Sequence, residues 1–279
     1  MRLSLCNEVI RELEFARQCA YAAELGYAGL ELAPFTLGDN AFEMGSAERS
    51  AVRRAMSDAG VVLSGLHWLL VAPAGLSITS ADPAVQRRTR DVLQRLIGLC
   101  AELGGDYLVH GSPAQRRITE EADPAGAARR AESLWAGIGA AARAAGVTYC
   151  IEPLAAPAAD FVTTLAEASA IVQRIGNPAL RTMIDTSAAT HMEPESVADA
   201  IRRWMPTGLV AHVQLNDANR RGPGQGNDKF LPVLRALRDT GYDSWLAMEP
   251  FEYVPDGPGC AARCIGYVAG LLESLDAAR

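Results

Sequence analysis

Gly146-Val147-Thr148-Tyr149-Cys150-Ile151-Glu152-Pro153 is the stretch whose reading decides the fold. A glycine that stops a helix is followed at once by an apolar run too short for another helix. The run ends on an acid and a proline. This is a helix C-cap leading into a buried strand. The same unit recurs in both directions. Strands are expected over 3–6, 29–33, 61–67, 107–110, 147–152, 181–185, 209–215 and 245–249. Helices are expected over 11–25, 46–59, 82–103, 124–145, 164–175, 193–203, 230–240 and 260–275. Gly26, Gly60, Gly104 and Gly241 mark further helix stops. Continuous apolar runs, without strict alternation, indicate a parallel sheet covered on both faces. Eight strand–helix pairs in 279 residues match an α/β chain folded as a (β/α)8 TIM barrel, one domain over 1–279. A doubly wound sheet is the competitor, but no GxGxxG turn follows the first strand. Gly222-Pro223-Gly224-Gln225-Gly226 lies after the seventh strand, with the wrong spacing for a phosphate cradle.

The net charge is −7 and 49% of residues are apolar. An acidic chain without a basic tract is poorly suited to capture nucleic acid or an anionic membrane. No apolar stretch approaches the roughly 20 residues of a membrane span. The six cysteines form no CxxC pair and sit in apolar patterns, which suits buried free thiols. The first strand begins almost at residue 1, leaving no room for a signal peptide. The expectation is a cytoplasmic protein, with a homo-oligomer left open.

Four oxygen-bearing side chains end four successive expected strands: Glu152, Asp185, Gln214 and Glu249. An unpaired buried carboxylate is costly, and a divalent cation is the simplest neutraliser of several. Glu152 and Glu249 stand in matched contexts, Ile-Glu-Pro-Leu and Met-Glu-Pro-Phe, on strands across the barrel mouth. Two such carboxylates can work as a base and acid pair. Asp185 could instead cap a helix. With the next helix expected only near Glu193, a ligand role is preferred. His212 is two residues before Gln214 and faces the same way, so it is a rival ligand or a supporting histidine. His67 and His110 end strands three and four and are candidates for the pocket lining. Trp68 is a candidate wall for a sugar ring, Arg220 a holder of a substrate oxygen, and Glu31 a further polar pocket residue. His191 stays ambiguous.

Ile151-Glu152-Pro153-Leu154, Ile184-Asp185-Thr186, Asn219-Arg220 with Pro223-Gly224-Gln225-Gly226, and Glu249-Pro250-Phe251 together resemble the xylose-isomerase-like TIM-barrel superfamily. The similarity is to its sugar isomerase/epimerase branch, which includes D-tagatose and D-psicose 3-epimerases. The resemblance implies an isomerase that binds Mn²⁺, or Mg²⁺ or Co²⁺, through Glu152, Asp185, the strand-seven residue and Glu249. It implies that Glu152 and Glu249 exchange a proton beside the ketone of a keto-sugar or keto-glycoside, through a metal-stabilised enediolate. Arg220 would hold a substrate oxygen. The chain departs from the pattern in three places. Gln214 stands where the family has a ligand histidine, as in hydroxypyruvate isomerases. Ala188 replaces a histidine. Ala155 to Asp160 replaces a polar substrate-binding stretch.

The alternatives are a hydroxypyruvate-type isomerase, a zinc apurinic endonuclease that would use His67 and His110, and a non-enzymatic sugar-binding barrel. A Schiff-base aldolase is disfavoured because Lys229 is the sole lysine and follows strand seven.

Overall fold

In the computed structural model, residues 1–119 and 121–277 are described. Eight parallel strands close on themselves in sequence order. They are β1 (Arg2–Cys6), β2 (Gly29–Leu32), β3 (Val62–Leu66), β4 (Tyr107–His110), β5 (Thr148–Ile151), β6 (Leu180–Asp185), β7 (Val210–Leu215) and β8 (Trp245–Met248). Closure is made by β1 on β8, with Leu3 opposite Leu246 and Leu5 opposite Met248. The outer shell is α1 (Phe15–Leu25), α2 (Ser46–Ala59), α3 (Pro83–Leu103), α4 (Pro124–Ala145), α5 (Leu165–Ile175), α6 (Thr186–Met192), α7 (Val197–Trp204), α8 (Phe230–Asp239) and α9 (Gly257–Ala277). The expected TIM barrel is therefore present, and each strand lies where the apolar runs put it, to within two residues.

Five helices, α1 to α5, end at a glycine in the left-handed region: Gly26, Gly60, Gly104, Gly146 and Gly176. That conformation lets the chain reverse into the next strand without a Cβ penalty.

Two expected helix starts are corrected. The stretch after β1 is a 3-10 turn (Asn7–Ile10), and α1 begins only at Phe15. The helix expected over 193–203 is one helix preceded by another that was not expected. α6 starts directly at Thr186, and α7 follows from Val197.

The core has two parts. One fills the space between sheet and helices and runs around the barrel through Leu30, Leu66, Ile97, Leu134, Ile171, Leu234 and Val268. The other plugs the barrel interior with Tyr107, Val109, Cys150, Met183 and Trp245. Gly65 lets the Tyr107 ring lie against the β3 backbone, since a Cβ there would overlap the ring. Above this apolar plug lies a polar layer of Glu31, Ser64, His67, His212 and Gln214, all at most 1% exposed. The sheet register shifts at Leu30/Glu31 and again at Thr182/Met183. Such irregularities re-aim side chains, and each lies within three residues of a strand end that carries an acid.

Candidate active site

The C-terminal ends of the strands surround a cavity of about 310 Å³. Its lining includes Glu152 just after β5, Asp185 at the end of β6, Glu249 just after β8 and His67 just after β3. Trp68, Pro113, Leu154, Ala155, Ala158, Ala188 and Phe251 form its largely apolar walls, and Arg220 lines it from the loop after β7. A somewhat larger cavity, about 380 Å³, lies beside α7 and the start of α8. Volume does not decide between them, because the converging buried carboxylates lie in the first.

One oxygen from each of Glu152, Asp185 and Glu249 lies within 4.8 Å of the others. All three residues are at most 5% exposed. Asp185 does two things at once. Its Oδ1 accepts from Ala188 N at 2.6 Å and caps α6, so the cap role set aside on the sequence is real. Its Oδ2 is buried without a partner. Glu249 is similarly divided: Oε1 is 3.0 Å from His67 Nδ1, and Oε2 is buried without a partner. Gln214 donates through Nε2 to Glu31 Oε1 at 2.7 Å, and its Oε1 is buried and unpartnered. Gln214 is the register partner of Asp185 on β6 and of Ala247 on β8. Three neighbouring strand ends thus each present one orphaned oxygen. Buried acceptors are ordinarily satisfied, and oxygens of this kind are what a hard divalent cation takes. The donor set fits such an ion.

A second cluster, Cys6, Glu8, His67 and Glu249, has the right residue types. It fits less well, because both ring nitrogens of His67 already lie 3.0 Å from carboxylates, Nδ1 from Glu249 and Nε2 from Glu8.

Burial raises the Glu249 carboxyl to about 8, against the opposing pull of His67. Burial likewise raises Asp185 to about 6. Glu152 is held well above the usual carboxylate range, first by burial and then by Glu249 and Asp185. Burial alone would lower His67, but Glu8, Glu249 and Glu31 outweigh it and keep the imidazolium well above its ordinary value. Raised carboxyls bind more protons in the folded than in the unfolded state, so their contribution to stability falls as pH rises. His67 acts in the same direction, losing its stabilising charge at high pH. Below about 6.5 the His110 ring, neutral in the fold, opposes them, so the metal-free protein should lose stability as pH rises from about 6.5 to about 8. Thermal unfolding in chelator across that range checks this; a midpoint that climbs with pH would contradict it.

The structure separates the expected pocket residues into two groups. His67, Trp68 and Arg220 line the cavity. His110, His212 and Glu31 do not, and these expectations are corrected. His110 turns into the core, where its Nδ1 receives Tyr149 OH at 2.6 Å and Trp135 Nε1 at 3.2 Å. Burial lowers it to about 3, so its ring is neutral. His212 faces the same interior as Gln214, as the period of two requires, but stacks on Tyr107 with centroids 3.9 Å apart. Its Nε2 is 2.9 Å from Glu31 Oε2 but makes no hydrogen bond to it. Glu31 is fully buried beneath the site and also accepts from Tyr107 OH. Burial would raise its carboxyl, but His212, His67 and Tyr107 bring it down to about 2. His191 bonds the Ala218 carbonyl at 3.0 Å.

Several contributors carried no sequence signal. Glu8 holds the far side of His67. Asn216 bonds Ser187 N and the Glu249 carbonyl, tying the ends of β6, β7 and β8 together. Arg116 looks like half of a solvated Arg-Arg pair, yet it is fully buried. Its Nε and Nη2 lack partners. Burial lowers it to about 10, and Glu152 is its foremost attractive neighbour.

Trp68, Val162 and Arg220 are the described non-glycine residues with positive φ, at 52°, 59° and 68°. Two of them line the cavity, and Val162 O accepts from Leu154 N in its wall. Strain of this kind concentrates at functional sites. The Arg220 guanidinium sits 4.9 Å over the Phe251 ring.

Gly111 faces Glu152, and a Cβ there would overlap the Glu152 carboxylate. Gly111 is not in the left-handed region, so space and not backbone strain opposes a side chain. Gly111→Ala should shift the carboxylate and lower kcat/KM on the order of 100-fold, with a folded far-UV spectrum. Activity within a few-fold of the parent would contradict this placement.

A family model described as xylose isomerase-like TIM barrel matches residues 19–264. D-psicose 3-epimerase of Agrobacterium fabrum is 29% identical over 234 residues, covering 82% of this chain and 76% of that protein. L-ribulose 3-epimerase of Mesorhizobium japonicum is 26% identical over 225 residues, covering 81% and 72%. Among solved structures, a D-psicose 3-epimerase crystallised in the presence of D-fructose superposes with a TM-score of 0.81 at 23% identity, covering 98% of this chain and 99% of that one.

Proposed function

Because the chain belongs to the xylose isomerase-like TIM barrel family, we propose that it is a divalent-metal-dependent isomerase or epimerase of a keto-sugar or keto-glycoside. Proton transfer would take place at the carbon beside the carbonyl. The observation that carries this reading is the convergence of Glu152, Asp185 and Glu249 in one cavity, with unpartnered oxygens on Asp185, Gln214 and Glu249. The sugar epimerases among its relatives support it.

Glu152, Asp185, Gln214 and Glu249 would hold the ion. Once bound, the ion would polarise the substrate's carbonyl and acidify the adjacent C–H. The remaining work falls to side chains. Glu152 and Glu249 come from β5 and β8, across the barrel mouth. One removes the proton from carbon, and the other returns a proton to the opposite face, giving an epimer. Return to the neighbouring carbon gives an aldose–ketose isomer. His67 fixes Glu249 through Oε1 and is itself fixed by Glu8. The buried Arg116 is a permanent positive charge near Glu152. Trp68 and Phe251 stand edge to face, 6.3 Å apart, and offer an aromatic wall to a sugar ring. Leu154, Ala155, Ala158 and Ala188 make much of the remaining wall apolar.

A second reading, a hydroxypyruvate-type isomerase, draws on Arg220. Arg220 lines the cavity with its guanidinium over the Phe251 ring, so it could meet a substrate acid. The endonuclease reading loses its proposed ligands. His67 is held between carboxylates, and the His110 Nδ1 faces two donors.

The test is deuterium incorporation from D₂O into keto-sugars, keto-glycosides and hydroxypyruvate with Mn²⁺ present. Exchange beside the carbonyl of a neutral sugar supports the first reading, and exchange on hydroxypyruvate alone supports the second. If the metal-loaded protein exchanges none of them, the proton-transfer reading fails.

A further inference from the structure

The Gln214 side chain is an amide, which can present either its oxygen or its NH₂ to the same point with almost no change in shape. Only the oxygen can bind a cation. Something in the chain must therefore set which end faces the carboxylate cluster. Beneath the site, Gln214 Nε2 donates to Glu31 Oε1 at 2.7 Å. Glu31 is fully buried, and a hydroxyl donor and two imidazole rings stand around its carboxylate. Tyr107 OH donates to Oε2, His212 Nε2 lies 2.9 Å from the same oxygen, and His67 Nδ1 lies 3.6 Å from Oε1. A carboxylate in such company only accepts, so it admits the NH₂ end of Gln214 and excludes the oxygen. The Gln214 oxygen is left buried and without a protein partner, on a strand whose neighbours end in Asp185 and lead into Glu249.

We propose that Glu31 is a positioning residue that fixes the Gln214 amide with its oxygen toward the carboxylate cluster, so that an uncharged side chain serves as a cation ligand. This rests on the reading that the cluster binds a divalent cation. It has a consequence that barrel packing alone does not. The two roles can be exchanged between the positions. An amide at 31 facing an acid at 214 keeps the total charge and the donor–acceptor pair. Either oxygen of a carboxylate at 214 can face the ion. With Glu31→Gln alone, two amides face each other and neither fixes the other's orientation.

The experiment is Mn²⁺ binding to the metal-free full chain, read from the EPR signal of free Mn²⁺, with folding checked by thermal unfolding. The variants are Glu31→Gln and Glu31→Gln/Gln214→Glu. Glu31→Gln should weaken Mn²⁺ affinity roughly 10- to 100-fold, the usual cost of losing a residue that orients a ligand. The double variant should recover most of that loss. Parent-like affinity in Glu31→Gln, or a double variant no better than the single, overturns the proposal. Should the single variant not fold, the double variant decides: near-parent binding supports the exchange of roles, and weak binding overturns it. A parent that binds no Mn²⁺ overturns the reading of the whole site, a separate result from either.

Discussion

Glu152→Gln and Glu249→Gln should each lower kcat by roughly 10²- to 10⁴-fold, the range lost with a positioned acid or base. Both carboxylates are also proposed ligands, so the variants are compared at saturating Mn²⁺, with affinity measured separately. A loss that persists in kcat at saturation belongs to proton transfer. A loss that vanishes there belongs to metal binding alone and would contradict the catalytic role.

Removal of the cation is expected to have an effect of comparable size. Dialysis against chelator should abolish exchange, and Mn²⁺ should restore it. An ion that binds the folded chain and not the unfolded one adds about 2.7 kcal/mol of stability at a concentration 100 times its Kd. Because burial holds Glu249 at about 8 and Glu152 well above the usual range, the metal-free site retains protons near neutrality, and binding must release them. Titration calorimetry in buffers of different ionisation enthalpy should show that release. It should shrink as pH rises past about 8. Buffer-independent heats at pH 7 would contradict it.

The barrel was legible in the sequence because each helix stop and each apolar run states a local preference that the closed sheet satisfies. The site carboxylates were legible for a related reason: an acid at the end of a buried run needs a partner that the run does not supply. What lay hidden depends on contacts distant in the chain. The cap role of Asp185 was hidden because the sequence points to a next helix only near Glu193, whereas α6 forms at once from Thr186. His110 ends its strand as expected, but its ring is claimed by Tyr149 and Trp135, one on the next strand and one on α4. Glu31, near the end of β2, is a polar pocket candidate in the sequence but lies beneath the cavity. The register shift beside it and two donors, Tyr107 on β4 and Gln214 on β7, draw it below. Arg116 and Glu8 gave no sign, since nothing in a sequence marks which charged residue of a turn folds inward.

The most direct measurement is anomalous diffraction at the manganese edge from crystals grown with Mn²⁺. The account predicts one strong peak within about 2.5 Å of oxygens from Glu152, Asp185, Gln214 and Glu249, the upper end of the oxygen–ligand range for such ions. A peak between Glu8 and His67, or no peak in protein that binds Mn²⁺ in solution, would contradict it.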